Sequence, residues 1–201
     1  AGNIYIADRA NRRISKWNSA GSAIGWIGGG SNGWKTTSGA AAGSDYQSFN
    51  FGGIIDSCAG VFVDTSGNIY IADFRNDRVC KWDSSGNAIG WIGGGSNGWK
   101  TSVGASAGRD YQSFDHPTTV CLDSLGNIYI ANYARISKWN SAGNAIGWIG
   151  DGSNGWKIND ITPSLNSDYQ SFASPRGIFV NSSGTIFIAD TLNHRISKWQ
   201  D

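Results

Sequence analysis

The sequence contains no glutamate and no methionine, and it has only three prolines and three cysteines among 201 residues. Glutamate and methionine are strong helix formers. Tryptophan, tyrosine, isoleucine and valine, which favour strands, are plentiful, and 29 residues are glycine. No apolar run approaches the roughly 18–20 residues that a membrane-spanning helix needs. These features predict an all-β protein with many tight turns and no membrane-spanning segment.

The net charge is also small, at only +1 at neutral pH. This balance gives no electrostatic reason to expect a nucleic acid or an anionic membrane as a partner. Low charge with abundant glycine, serine, asparagine and tryptophan favours an extracellular or cell-surface protein. No signal peptide is visible, and the chain begins within a repeated motif, so we expect a processed or truncated N-terminus.

The three cysteines, Cys58, Cys80 and Cys121, are odd in number and show no CxxC spacing. Serine stands at the position of Cys80 in the other copies of the repeat described below. We therefore interpret the cysteines as small, buried, apolar side chains. A disulfide that involves Cys58 is an alternative, but spacing alone does not identify its partner.

The chain is an internal repeat. The sequence GNIYIAD occurs at 2–8 and 67–73, and close variants occur at 126–132 and 184–190. The units are about sixty residues long and cover about 2–66, 67–125, 126–183 and 184–201. Self-similarity at a fixed period is typical of solenoids and propellers.

One unit contains four short strand signals, which we name a to d in chain order. In the second unit they are VFVD (61–64), NIYIAD (68–73), RVCKW (78–82) and NAIGWIGG (87–94). Ser-Gly turns separate a from b and c from d, as expected for antiparallel hairpins. Strand b is apolar on both faces, so a single sheet would be unstable alone. Stacking such sheets around an axis buries both faces and predicts a β-propeller with four-stranded blades.

The patterns GNIYIADRANRRISKW, GNIYIADFRNDRVCKW and GTIFIADTLNHRISKW resemble the blades of NHL-repeat propellers. The resemblance covers the chain apart from one insertion per unit, and it implies fold more strongly than function. Counting strands gives three, four, four and three, fourteen in all, with incomplete blades at both ends. We therefore expect an excerpt of a longer array or closure with another copy. A ring of four imperfect blades is the alternative.

Candidate binding residues lie in two parts of each unit. In a propeller the b–c loops and d–a connections emerge on one face, and loops on a rigid scaffold often carry binding residues. The b–c loops vary between units and offer Arg9, Arg12, Phe74, Arg75, Tyr133 and His194. The insertion after strand d repeats Asn-Gly-Trp-Lys and then Asp-Tyr-Gln, and it offers Asn32, Trp34, Tyr46, Asn97, Trp99, Tyr111, Asn154, Trp156 and Tyr169.

An aromatic ring beside amides and a carboxylate suits a sugar, whose apolar face covers the ring while its hydroxyls bond the polar groups. Three equal sites would add avidity. The structural alternative is that the tryptophans cap the blade edge and that the b–c loops vary because they are exposed. The aspartate at the end of strand b either lines a site or, as we favour, caps the b–c turn. We interpret the lysine of the KW pairs as solvated and its tryptophan as inter-blade packing.

Signs of catalysis are lacking in the sequence. Its two histidines, His116 and His194, lie in different loops, and no HxxxH pair, GxSxG elbow or phosphate-binding glycine loop occurs. We therefore expect no enzyme activity, metal or cofactor. The sequence predicts a recognition module for carbohydrate or another surface ligand. The alternative is a structural, self-assembling repeat protein or a protein-interaction scaffold.

Overall fold

The computed structural model describes residues 2–39, 42–43, 45–51, 59–104, 107–108, 110–160 and 165–201. Within them the chain forms fifteen strands in four antiparallel sheets, which we number as blades 1 to 4. Among the described residues no helix is long and apolar enough to span a bilayer. The all-β prediction is confirmed. Cys58 lies outside the described residues, so its pairing stays a prediction.

The blades follow one another along the chain. Blade 1 contains β1 (Ile4–Asp8), β2 (Arg13–Trp17) and β3 (Ala23–Ile27). Blade 2 contains β4 (Val61–Val63), β5 (Ile69–Asp73), β6 (Arg78–Trp82), β7 (Ala88–Gly93) and β8 (Ser96–Lys100). Blade 3 contains β9 (Pro117–Leu122), β10 (Ile128–Asn132), β11 (Arg135–Trp139) and β12 (Ala145–Ile149). Blade 4 contains β13 (Pro175–Val180), β14 (Thr185–Asp190) and β15 (Arg195–Gln200).

The four predicted strands of the second unit are confirmed as β4 to β7. The predicted total of fourteen strands is wrong by one, because part of the second insertion, Ser96–Lys100, forms the extra strand β8. The equivalent stretches of the first and third insertions make single bridges, Trp26 to Lys35 and Trp148 to Lys157. The insertion therefore adds a fifth edge strand to the blade rather than a loop alone.

Tight Asp-Ser-Gly turns set the register of the hairpins. Before β5 the amide of Gly67 donates to the carbonyl of Asp64 at 3.0 Å, and Gly67 has a φ of +82°. The Asp64 carboxylate accepts the backbone N–H groups of Ser66 and Asn68. Strands b and c then pair in the same register in each blade, so that in blade 2 Asp73 lies opposite Arg78.

The core lies between neighbouring blades. The face of blade 2 toward blade 1 presents Ile69, Ile71, Cys80 and Trp82, all fully buried. We call this side of any blade its leading face. The ring of Trp82 packs on Phe49 from the preceding connection at 5.5 Å, so the predicted inter-blade role of this tryptophan is confirmed. Cys80 and also Cys121 are free and buried, as predicted.

The lysines of the first three KW pairs are not solvated charges, contrary to our interpretation, whereas Lys198 of the fourth pair is exposed as predicted. The Nζ atom of Lys81 lies 5.3 Å from the ring centres of both Tyr70 and Trp99. Gly90 lies opposite Lys81 on β7. A Cβ at Gly90 would lie 2.8 Å from the carbonyl oxygen of Lys100. Lys81 therefore makes cation–π contacts with two rings. The same arrangement recurs around Lys16 and Lys138.

The outer faces of the two terminal blades are partly uncovered. Ile4 and Ile6 of blade 1 are 49% and 46% exposed, whereas their counterparts in blade 2 are buried. On blade 4 the side chains of Phe179 and Ile196 are 61% and 70% exposed. Ring closure and the number of blades in a complete ring stay predictions.

Candidate functional site

The insertion tryptophans bridge each blade to the next. The indole N–H of Trp34 donates to the carbonyl of Ser84, and that of Trp99 donates to the carbonyl of Ser141, both at 3.1 Å. Ser84 and Ser141 lie in the c–d turns of the following blades. Trp156 instead donates to the Asp201 carboxylate at 3.0 Å. These contacts match the structural alternative, in which the tryptophans cap the blade edge.

The insertion asparagines lie beside the same turns in the first two units. The side-chain oxygen of Asn32 accepts the amide of Ala88, and that of Asn97 accepts the amide of Ala145, both at 2.9 Å. The expectation that insertion and b–c loops form one surface is therefore wrong there. The physical reason is that the polypeptide reverses after strand d and returns along the blade edge to the turn side.

The third unit is different. Asn154 accepts a hydrogen bond from the side-chain amide of Gln170, and a cleft of about 310 Å³ is lined by both residues with Tyr169 and Lys198. The structure therefore brings Asn154 and Tyr169 together. Tyr169 is 76% exposed. Tyr46 and Tyr111, its counterparts, are half-buried in the connections that lead to the next blade.

The b–c loop residues are separate from the tryptophans. Arg9, Arg12, Phe74 and Tyr133 are half-buried, whereas Arg75 and also His194 are exposed. These b–c loop residues are spread over four successive blades, so they do not form a single binding site. A ligand-binding role for these residues, and for those of the insertion, stays a prediction.

One junction does bring several functional groups together, between the b–c loop of blade 2 and the start of blade 3. The rings of Phe74 and His116 lie 4.7 Å apart at 54°. The backbone amide of His116 donates to the Asp77 carboxylate at 2.8 Å. Its Nδ1 atom lies 2.6 Å from the Asp115 carboxylate. The guanidinium of Arg75 lies 5.9 Å from the Phe74 ring centre. We call these five residues the junction cluster.

Unusual backbone conformations position the cluster. Asp77 ends the b–c turn with a φ of +50°, and His116 precedes β9 with a φ of +53°. Such left-handed conformations cost energy in residues other than glycine and often occur at functional sites. Burial raises the pKa of Asp77, and the nearby charge of Asp115 acts in the same direction, although the His116 amide opposes both.

The junction cluster is particular to this pair of blades. Between blades 3 and 4 the equivalent positions hold Tyr133, Ala173 and Ser174, which bring no second ionisable pair. Within the described residues, Asp77, Asp115 and His116 are the group whose ligand atoms lie within 4.8 Å of one another. Carboxylates and imidazole are ligands that divalent cations accept. Sequence reasoning missed this group because its two halves lie 39 positions apart in the chain.

A larger cleft lies on the side of the a–b turns, between blades 2 and 3. It has a volume of about 530 Å³ and is lined by Tyr70, Lys81, Asp64 and Asp123 among others. Its lysine is held by the two rings described above, and Asp64 and Asp123 bond their own turns. The polar groups of this cleft are thus largely used by the scaffold.

Comparison with known proteins supports the fold. The NHL repeat model matches residues 172–199, which confirms the predicted resemblance and shows that the chain carries an NHL repeat. A comparison with curated protein sequences gave no match.

Solved structures agree with this. A protein of unknown function from Bacteroides thetaiotaomicron is 17% identical with a TM-score of 0.61, and the match covers 98% of this chain and 44% of that one. An auxiliary nutrient binding protein from the same organism is 15% identical with a TM-score of 0.54 and the same coverages. The chain thus spans less than half the length of these two structures.

A catalytically inactive virginiamycin B lyase from Staphylococcus aureus with quinupristin is also similar. It is 11% identical with a TM-score of 0.49, and the match covers 100% of this chain and 52% of that one. This likeness is too low to bear on activity.

Proposed function

We propose that this chain is a non-enzymatic recognition module of an NHL-type propeller, and that its ligand-binding site is the junction cluster. The observation that carries the proposal is the grouping of an aromatic pair, two carboxylates and a guanidinium at one partly exposed junction. A nutrient binding protein among the similar folds is consistent with ligand binding.

The ligand that we propose is a carbohydrate. The ring of Phe74 is half-buried, so one part of it is available to the apolar face of a sugar. The carboxylates of Asp77 and Asp115 accept hydroxyl hydrogens, whereas Arg75 is an exposed donor of several N–H groups. Binding on an extracellular or cell-surface protein would suit this chemistry.

The first test is a glycan array with the folded chain and two variants at the same loop position of different blades. Phe74→Ala removes the ring of the junction cluster, whereas Thr191→Ala changes the equivalent position of blade 4. We expect sugar-specific binding that is lost in Phe74→Ala and kept in Thr191→Ala. A blank array from a folded sample would contradict the proposal, and so would equal binding by both variants.

The insertion tryptophans give a second arm of this test. If the predicted insertion sites bind sugar, replacing Trp34, Trp99 and Trp156 together by alanine will abolish binding while leaving the free energy of unfolding unchanged. The contact with Ser141 instead leads us to expect a less stable chain that still binds. Chemical turnover of a bound sugar would contradict the non-enzymatic part of the proposal.

The second candidate function is a structural, self-assembling repeat protein or a protein-interaction scaffold. The exposed apolar side chains of both terminal blades favour it, since isolated monomers rarely expose such patches without a partner. Sedimentation at increasing concentration tests it. A monomer throughout would exclude self-assembly of this chain.

A further inference from the structure

Each connection between blades carries the same short segment, Asp-Tyr-Gln-Ser-Phe, at 45–49, 110–114 and 168–172. We call these the Phe segments. Each one is a turn closed by its own aspartate. In the first, the Asp45 carboxylate accepts the amide of Gln47 at 2.9 Å and the hydroxyl of Ser48 at 2.7 Å. The same bonds hold the third segment.

Each Phe segment is held by an arginine and a tryptophan of the blade that follows it in the chain. In blade 2 the Arg78 guanidinium donates to the carbonyls of Asp45 and Ser48, both at 2.7 Å. The Phe49 ring packs on Trp82. Blade 3 uses Arg135 and Trp139 on the second segment, and blade 4 uses Arg195 and Trp199 on the third.

In blades 2 and 4 two more side chains bond the residues next to the Phe segment. Together with the arginine and the tryptophan they form what we call the receptor of a blade. The Asp73 carboxylate accepts the amide of Asn50, just after the first Phe segment, at 2.7 Å. The side chain of Asn76 donates to the Gly43 carbonyl, just before it, at 2.8 Å. In blade 4, Asp190 and Asn193 make the same two bonds.

Blade 1 carries the same receptor. Asn11 donates to the two Asp8 carboxylate oxygens at 3.0 and 2.9 Å, and Arg13 donates to Asp8 at 2.9 Å. The matching bonds in blade 2, from Asn76 and Arg78 to Asp73, are both 2.9 Å. The receptor of blade 1 is thus already in the geometry that holds a Phe segment in blade 2.

The leading face of blade 1 is nevertheless open. The side chain of Asp8 is 25% exposed, whereas the equivalent aspartates of blades 2 and 4, which hold a Phe segment, are fully buried. A cavity of about 250 Å³ is lined by Arg13, Ser15, Trp17 and Trp26 among others. In blade 2 the equivalent positions, Arg78, Cys80, Trp82 and Trp91, are buried in the core that contains Phe49.

We propose that the leading face of blade 1 is a docking site for an Asp-Tyr-Gln-Ser-Phe segment, the segment that the same face of blades 2, 3 and 4 already holds. The Arg13 guanidinium takes the two segment carbonyls, Asp8 takes the following amide, and the phenylalanine ring enters the cavity against Trp17. All three internal junctions show the arginine and phenylalanine contacts, and the junctions of blades 2 and 4 show the contact of the aspartate with the following amide. This proposal does not depend on carbohydrate binding at the junction cluster.

The test uses a fluorescently labelled peptide with the sequence of residues 43–51, GSDYQSFNF, and the folded chain. Fluorescence anisotropy measures binding. We expect saturable binding that weakens tenfold or more in Arg13→Lys, because lysine keeps the charge but has one nitrogen, whereas arginine bonds the carboxylate through Nε and the two carbonyls through a second nitrogen. The control Lys198→Ala alters an exposed cation of blade 4 and should bind the peptide unchanged.

A second peptide removes the ring by placing alanine at the position of Phe49, and it should not bind. Circular dichroism of each protein variant shows whether it is folded. Absence of saturable binding to the folded chain would overturn the proposal, and so would equal binding of the alanine peptide.

Self-association of the chain discriminates further. If the chain dimerises at high concentration and the peptide dissociates the dimer, a second copy can supply the segment and the proposal is supported. If the chain dimerises but the peptide neither binds nor dissociates the dimer, the proposal is overturned, because another surface then occupies the open leading face of blade 1.

Discussion

Blades 2 and 3 share most of their strand residues but hold their buried arginine differently. In blade 2, Arg78 pairs with the Asp73 carboxylate at 2.9 Å, and both side chains are fully buried. In blade 3 the aspartate is replaced by Asn132, whose side-chain amide instead donates to the hydroxyl of Ser137 at 3.0 Å. The side-chain oxygen of Asn132 finds no hydrogen-bond partner among the described residues.

The contact that the two blades have in common is the pair of bonds to backbone carbonyls of the Phe segment. Arg135 donates to the carbonyls of Asp110 and Ser113 at 2.6 and 2.7 Å. The comparison teaches that joining one blade to the next is the shared task of this arginine. In blade 2 the Asp73 carboxylate is a further partner of the arginine, and its presence makes the loss of Arg78 more costly.

The largest expected effect comes from removing the two arginines. Arg78→Met should lower the free energy of unfolding by about 3–5 kcal/mol, because it leaves the Asp73 carboxylate buried without its ion-pair partner. Arg135→Met should cost about 1–3 kcal/mol, because the two carbonyls of the Phe segment that lose their donor are neutral. Urea unfolding measures both, and Arg75→Ala, at an exposed position, is the control. Equal costs in the two blades would contradict the comparison.

A smaller effect is expected from the insertion tryptophans. Trp99→Ala in blade 2 and Trp156→Ala in blade 3 should each cost about 2 kcal/mol, below the usual cost for a fully buried tryptophan, since both rings are half-buried. Val103→Ala changes an exposed residue of the same insertion and should alter stability by less than about 0.5 kcal/mol. Denaturant midpoints with unchanged slopes would report these differences. Unchanged stability of the tryptophan variants would reject their role between blades.

The loss of stability should differ less between the two blades for their tyrosines than for their arginines. The Tyr129 hydroxyl donates to Asp201 at 2.7 Å and lies 3.1 Å from Asp123, whereas the Tyr70 hydroxyl lies 3.4 Å from Asp64. Tyr129→Phe should therefore cost about 1.5–3 kcal/mol and Tyr70→Phe less than about 1 kcal/mol. Thermal unfolding of both variants at the same pH checks the order. A larger loss at Tyr70 would contradict it.

Alkaline pH tests the same two tyrosines without a substitution. Burial, followed by the bonds and charges of nearby carboxylates, raises the pKa of Tyr129, and burial with the Asp64 charge raises the pKa of Tyr70. A phenol whose pKa is higher in the folded chain stabilises it below about pH 10, and this contribution is lost as the pH rises further.

Unfolding free energies between pH 9 and pH 11 should thus decline, by about 1.4 kcal/mol per pH unit for each tyrosine that stays protonated. The decline should be shallower in Tyr129→Phe. Ultraviolet absorbance at each pH reports phenol ionisation. Full ionisation of the folded chain near pH 10 would contradict the raised pKa values.

Much of the fold could be predicted from the sequence because strands and turns are local. The β-favouring residues of NIYIAD and the Ser-Gly turns were enough to predict β5 and its neighbours in blade 2. The extra strand β8 was missed because SNGWK has no strand-like alternation. It pairs with β7 only after the polypeptide reverses through glycines with positive φ, at Gly93, Gly94 and Gly95.

The sites were predicted less well, because they depend on which residues meet across blades. Phe74 and Arg75 were singled out from loop variation, and both belong to the junction cluster. Asp115 and His116 were not, because nothing near them in the sequence points to Asp77. The insertion tryptophans looked like sugar-binding residues by composition, yet their N–H groups bond the next blade or the Asp201 carboxylate.

The repeat, the antiparallel hairpins and the two apolar faces of each blade follow from the amino-acid sequence alone. These follow from residue order within about twenty positions, where backbone geometry and turn residues act directly. The position of Lys81 between two rings, the meeting of three ionisable groups at one junction and the open receptor of blade 1 became clear from the folded chain alone. The first depends on the return of the insertion to its own blade as β8, and the other two depend on which side chains a neighbouring blade brings.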